Sequence, residues 1–530
     1  MGMVRDMKHT MRLSLVPVLL ASAMLVACKN DPYVPGTAKE VAGVSMGAVR
    51  NAIAARLDSS RSPSWITKEE WKRVQRVYTT WDNAPIWLEP DGVRERAGAL
   101  LRAIEEAPTH GLTTNAYPID SIRAVVGRDD DIDKGATPDK LADVDVLLTA
   151  AFIGYAQDML LGQLNPKDVN QAWHIAGRRT EVDSALVRAL QSPNMDDALR
   201  TMAPAEEEYA QLRQKFVEYK KFAATPWPAL SVSSPKSLIA QRLTAEGYQA
   251  DSMDIVTAIR GYQDRHGLEP TGKLNAITLR AMNVPASERV EQIRINLERY
   301  RWLPRSLGDQ YIYVNVPSFR LQAYRGGQKQ LDMRVVVGAE YDGRATPVFA
   351  DSMEFVVFRP YWNVTPTIQA NEFAHYGGNL PAGYEFWNDG GAQRIRQRPG
   401  EKNSLGLVKF MFPNSFNIYL HDTPAKSLFQ RADRAASHGC IRVQDPVRLA
   451  EWVLGWDGGR VQSAMKGSDN RHVKLPGKIP VYIVYFTAYM RDGQLYFSDD
   501  VYDRDDSIQE GLDSVPRADS APAPPPRRAA

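Results

Sequence analysis

The spacing of apolar positions changes along the 530-residue chain, and each change marks a different kind of element. From Thr67 to Phe222 apolar residues recur every three or four positions. The pair Thr67-x-x-Glu70 predicts a capping box opening a helix with Trp71, Val74 and Tyr78 on one face. Similar patterns run through 93–106, 141–164 and 206–222, so 61–230 is predicted to be one mostly helical domain. The long apolar run 141–164 carries Asp143, Asp145 and Asp158, which makes it a core helix and not a membrane span. After Ser233-Ser234-Pro235 three short helices are predicted between 235 and 285, with Ala258, Ile259 and Tyr262 in their core, and a connecting helix covers 286–309.

From Gln310 the period becomes two. Tyr311 to Val316 alternates, and two further strand patterns flank Gly326-Gly327, a hairpin signal. More strands are predicted at 354–359, 416–421, 439–443 and 481–486, which gives a mainly antiparallel β domain over 310–500. Inside it, 368–409 is rich in Gly and charge and has little strand character. A stretch of that length within a compact domain is read as a lid-like insertion. Arg394, Arg396 and Arg398 alternate there, and guanidinium forks suit carboxylates. The tail, 503–530, is charged and then Pro/Ala-rich, and is predicted to be disordered.

The N-terminus adds a location. Arg5, Lys8 and Arg12 precede an apolar run over 13–27, the length of a secretory segment and too short to span a bilayer. It ends Leu25-Val26-Ala27-Cys28, followed by Lys29-Asn30, which resembles the bacterial lipobox. That resemblance implies a lipoprotein signal peptide over 1–27, lipidation of Cys28, a tether over 28–60, and a periplasmic protein held on a membrane of a Gram-negative-type envelope.

Composition excludes several classes. With 44% apolar and 24% charged residues the chain is not globally disordered, and a net charge of +2 offers no excess of cations for a nucleic-acid partner. Two cysteines, Cys28 and Cys440, cannot supply a disulfide framework or a Cys-rich zinc site.

If Cys28 is acylated, Cys440 is the one free thiol of the mature chain. It lies in Ser437-His438-Gly439-Cys440-Ile441-Arg442-Val443. A thiol needs a base or a positive field to act as a nucleophile at neutral pH. His438 is two residues away, and His421 ends a strand-like segment with Tyr419, within reach from a neighbouring strand. Gly439 allows close backbone approach and is a candidate oxyanion donor through its amide, and Arg442 alternates to the Cys440 face.

The pattern His421…Ser437-His438-Gly439-Cys440-x-Arg442 resembles the signature of the L,D-transpeptidases with a YkuD-like catalytic domain. Thr346-Pro347-Val348-Phe349, Pro360-Tyr361-Trp362-Asn363-Val364 and the segment from Arg396 to Asn414 extend it. The string Ile259-Arg260-Gly261-Tyr262-Gln263-x-x-His266-Gly267-Leu268-x-x-Thr271-Gly272 resembles a peptidoglycan-binding domain, which a plain spacer would also fit. The order of parts is similar to the large, YcbB-type members. The resemblance implies a multidomain α+β protein: helical scaffold, three-helix peptidoglycan-binding module, and mainly β YkuD-like catalytic domain with a lid-like insertion. It implies that Cys440 is the nucleophile, attacking the L-centre carbonyl of diaminopimelate in a tetrapeptide stem and releasing D-Ala. The thioester then passes to a neighbouring stem in a 3→3 cross-link, and the resemblance implies that no metal or other cofactor is needed. His421 is expected as general base, because large relatives carry Ser where His438 stands, leaving His438 an orienting role. Arg442, Ser437, Tyr419, Trp362, Asn363, Arg396 and Arg398 are the candidate substrate contacts. Partners are peptidoglycan, the membrane through Cys28, and other wall-synthesis enzymes. Transfer to water, as an L,D-carboxypeptidase or a hydrolase of wall-attached proteins, uses the same Cys; a non-catalytic wall-binding lipoprotein is the alternative from another class.

Overall fold

The computed structural model describes residues 35–515, apart from 59–61, 90–91, 94, 114–115, 128–134, 178–181, 226, 249, 251–253, 341–342 and 468–469. The expected signal peptide, Cys28 and the last residues of the tail lie outside the described residues.

The N-terminal half is helical. Helix α1 (Lys68–Thr80) opens with the capping box: Thr67 Oγ1 accepts from Glu70 N–H at 3.2 Å, and Glu70 Oε2 accepts from Thr67 N–H at 2.7 Å. Helix α2 (Pro138–Leu161) is buried along most of its length. Two of its acidic residues bond inside the core, while Asp143 pairs with Arg56 at the surface, 2.7 Å away. Asp145 accepts from the Ile86 and Trp87 amides and from Tyr78 Oη, while Asp158 accepts from Tyr117 Oη at 2.6 Å. Buried carboxylates satisfied by several donors are tolerated where a lone one would not be. The expected tether is corrected in part: a helix at Met46–Arg56 buries Val49, Ala52 and Ile53 against this core. Weak periodicity hid it, because the helix is only 11 residues long and its buried face is narrow.

Helix α3 (Glu207–Ala223) packs on α7 (Ala286–Arg301) and shares the core of the C-terminal domain through Tyr209, Leu212 and Phe216. Between them, α4 (Lys236–Ala245), α5 (Ile255–Arg265) and α6 (Ala276–Met282) enclose a small core of their own that includes Leu243, Ile259, Tyr262 and Met282. Gln263 is buried there, accepting from Gly272 N–H at 2.8 Å and donating to the Lys273 carbonyl at 2.9 Å. His266 stacks on Tyr262 with ring centroids 3.8 Å apart.

The C-terminal domain is a nine-stranded sheet. Its strands are β1 (Gln310–Asn315), β2 (Arg320–Arg325), β3 (Gln328–Gly338), β4 (Phe349–Phe358), β8 (Val408–Met411), β9 (Leu420–His421), β10 (Ala435–Ser437), β11 (Ile441–Val443) and β12 (Arg471–Val484). The order is β10-β3-β11-β9-β8-β4-β12-β1-β2, and because β2 also pairs with β3 all but β10 close into a ring. Gly326 and Gly327, at φ 59° and 71°, make the β2–β3 turn that only left-handed residues allow.

The insertion departs from expectation. It contains strands β6 (Tyr384–Asp389) and β7 (Ala392–Gln397), which join β5 (Trp362–Asn363), just ahead of it, in a separate three-stranded sheet over a small core of Val364, Phe373 and Ile395. Charged residues mask the strand signal, because both faces of this small sheet are largely wet. The tail is corrected as well: α8 (Asp506–Asp513) buries Ile508 and Leu512 fully in the main core.

Candidate active site

Strand β9 is two residues long and sits between β8 and β11. It runs antiparallel to β8 with His421 opposite Lys409, and parallel to β11 with His421 opposite Arg442. Side chains two residues apart share a face, so Tyr419, His421, Cys440, Arg442 and Lys409 all line one cleft of about 1100 Å³. The facing wall is made by Trp362 and Asn363 together with Glu372, Tyr384 and Trp387 of the insertion. Residues 416–419, expected as strand, instead form a turn: Asn417 has φ 55°, and Asn414 Oδ1 accepts from the Phe416 and Ile418 amides. The sequence there alternates like a strand, but the Asn414 side chain competes for the backbone.

The Cys440 thiol is free and lies 3.6 Å from the Asn417 carbonyl. Burial pushes it up; hydrogen bonding with Tyr419 and the charges of Lys409 and Arg442 pull the other way. Lys409 Nζ stands 4.2 Å from the centre of the Tyr419 ring, and burial lowers it. Arg442 is lowered by burial too, and its Nε is buried without a partner.

His421 is held neutral. Burial, then the Arg442 charge, pushes it down to about 3. Its Nδ1 lies 2.5 Å from the Asp422 carbonyl. The Asp422 carboxylate fixes the surrounding loop: it accepts from Thr423 N–H at 2.7 Å, Leu407 N–H at 2.9 Å and Lys426 Nζ at 2.7 Å. Gly406 passes so close that a Cβ there would lie 2.3 Å from Asp422 Oδ2.

Other expected site residues have different surroundings from those foreseen. The Gly439 N–H, expected as an oxyanion donor, is given to Ser437 Oγ at 3.2 Å. Ser437 Oγ in turn donates to the Cys440 carbonyl at 2.5 Å, so this hydroxyl braces the loop from inside. His438 lies in the bend between β10 and β11, with Nε2 2.6 Å from Glu372 Oε1 of the insertion. Arg396 and Arg398 both pair with Glu385, at 2.7 and 2.5 Å, across the β6–β7 register. Of the three alternating arginines it is Arg394 that lines the cleft. The sequence reading missed Lys409 and Glu372 as site residues. Lys409 alone left a signal, a charge between the buried Val408 and Phe410. Among the described residues no three His, Cys, Asp or Glu side chains converge as a metal site.

Residues 309–483 match the L,D-transpeptidase catalytic domain (YkuD), and residues 72–216 match the Scaffold domain. A provisionally named L,D-transpeptidase of Haemophilus influenzae is 32% identical over 255 residues, covering 43% of this chain and 51% of that protein. The chain thus spans about half the length of that relative. A crystal structure of the L,D-transpeptidase from Xylanimonas cellulosilytica matches over 49% of this chain and 97% of its own, at 16% identity and a TM-score of 0.18. At that score the match supports no structural argument.

Proposed function

This chain carries the YkuD catalytic domain of the L,D-transpeptidase family behind an N-terminal Scaffold domain, and from that premise we propose that it forms 3→3 cross-links in peptidoglycan through a thioester on Cys440. The observation that supports this reading most is the convergence of one free thiol, a neutral buried imidazole and two half-buried cations in a single cleft.

The chemistry follows from those groups. The Asp422 carbonyl can only accept, so Nδ1 of His421 carries the proton and Nε2 keeps its lone pair. As general base, that nitrogen takes the Cys440 proton while sulfur attacks the L-centre carbonyl of diaminopimelate. It then gives the proton to the amine of the departing D-Ala. The acceptor's side-chain amine attacks the thioester, the new amide forms, and the thiolate is released and reprotonated. Among the described residues neither Lys409 nor Arg442 has a carboxylate partner. Holding cations half-buried and unpaired is costly, and a stem peptide supplies the missing carboxylates.

The insertion is read as a lid that keeps water from the thioester. The helical module 235–285 is read as a peptidoglycan contact; Tyr262, Gln263 and His266, which carry its resemblance, are used in its own core. Secretion and anchoring through a lipidated Cys28 complete the proposal. The test is mass spectrometry of muropeptides after incubating the soluble chain with disaccharide-tetrapeptide. A 3→3 dimer with loss of D-Ala supports transpeptidation. Tripeptide alone would assign transfer to water.

A further inference from the structure

The peptide unit joining Gly439 to Cys440 is gripped from behind. Its carbonyl, on Gly439, accepts from Thr346 Oγ1 at 2.9 Å. A trans peptide is planar, with its C=O and N–H pointing in opposite directions. Fixing that carbonyl therefore fixes the direction of the Cys440 N–H. With the Gly439 amide taken by Ser437, the Cys440 N–H is the backbone donor this loop leaves for a developing oxyanion.

Thr346 is fully buried and is itself held on every polar atom. Its Oγ1 accepts from Gly338 N–H at 2.9 Å, its N–H donates to Tyr502 Oη at 3.3 Å, and its carbonyl accepts from Arg504 at 3.3 Å. Tyr502 Oη donates in turn to the Gly338 carbonyl at 2.6 Å. The approach demands a glycine: a Cβ at Gly338 would lie 1.9 Å from the Arg344 carbonyl oxygen. Tyr502 and Arg504 belong to the C-terminal segment, which is fastened at both ends. The Tyr502 amide donates to Tyr485 Oη at 2.9 Å, Asp505 pairs with the buried Arg299 at 2.5 Å, and Ser507 Oγ donates to the Val169 carbonyl at 2.7 Å.

We propose that Thr346 and Tyr502 are positioning residues which aim the Cys440 N–H at the oxyanion, so that the C-terminal segment serves acylation without touching substrate. This rests on the reading of Cys440 as the acylated nucleophile. A donor that acts only as charge develops contributes to the rate of acylation and not to ground-state binding.

The test compares Tyr502→Phe, Thr346→Val and Thr346→Ser with the unaltered chain, using two probes of Cys440. A carbapenem or a p-nitrophenyl ester acylates through a tetrahedral oxyanion; iodoacetamide alkylates by displacement and forms none. Both Tyr502→Phe and Thr346→Val are expected to slow acylation about tenfold or more, since loss of a whole oxyanion donor costs about 10²–10³-fold. Alkylation should stay within about twofold, and Thr346→Ser, which keeps the hydroxyl, should restore most of the acylation rate. The double variant should be no slower than the worse single one, because both act on the same peptide unit. Equal losses in acylation and alkylation, or acylation at the unaltered rate, would overturn the inference while leaving the nucleophile in place. An unaltered chain that accepts neither acyl donor would overturn both readings.

Discussion

Nδ1 of His421 lies 2.5 Å from the carbonyl oxygen of the next residue, Asp422. The contact fixes the tautomer with no second side chain, and it presents a neutral base because burial holds this ring down to about 3. His438, closer in sequence to the thiol, bonds Glu372 instead.

His421→Ala is therefore expected to slow acylation of Cys440 by about 10²–10⁴-fold, the usual worth of a general base. His438→Ala should cost less than about tenfold by the same reasoning, since its ring faces the insertion. Stopped-flow acylation by a carbapenem reads both; a slower His438 variant would reverse the assignment.

The pH profile carries the same signature. Lowering the imidazole pKa keeps the base form populated well below an ordinary histidine, and raising the thiol keeps its proton on through neutrality. A pair poised that way gives an acylation rate that is flat between about pH 5 and 8. A limb near pH 6.5, or a tenfold rise per pH unit, would show that His421 titrates normally or that preformed thiolate is the reactant.

Much of this site was legible from spacing. His421 and Cys440 each stand at or beside a short strand of alternating residues, and period two says which neighbours share their face. What stayed hidden depends on register and on distant segments. Glu385 claims Arg396 and Arg398 because β6 and β7 pair, a pairing masked by charge. Asn414 turns a strand-like segment aside by bonding its own backbone. Ile508 and Leu512 carry too few apolar neighbours in sequence to announce a buried helix, yet they find a groove made by the rest of the chain.

Lys409 should matter through charge. Replacing it by Met removes a cation that pulls the thiol down and leaves the cation–π contact with Tyr419 unmade. The thiol should move further up, which slows iodoacetamide alkylation at pH 8. Arginine in its place should retain most of the reactivity. An unshifted alkylation profile in the Met variant would remove Lys409 from the site.

Glu372 links the insertion to the catalytic loop through His438. Glu372→Ala should loosen that closure and raise the ratio of tripeptide to 3→3 dimer, read by muropeptide mass spectrometry, with β-lactam acylation of Cys440 retained. An unchanged ratio would leave the insertion without a role in excluding water.

The central claim is that Cys440 forms the acyl-enzyme. Intact-protein mass spectrometry after exposure to a carbapenem tests it most directly. One adduct is predicted on the unaltered chain, mapped to the peptide containing Cys440, and none on folded Cys440→Ala; an adduct of the same yield on Cys440→Ala, or none on the unaltered chain at large excess, would contradict the account.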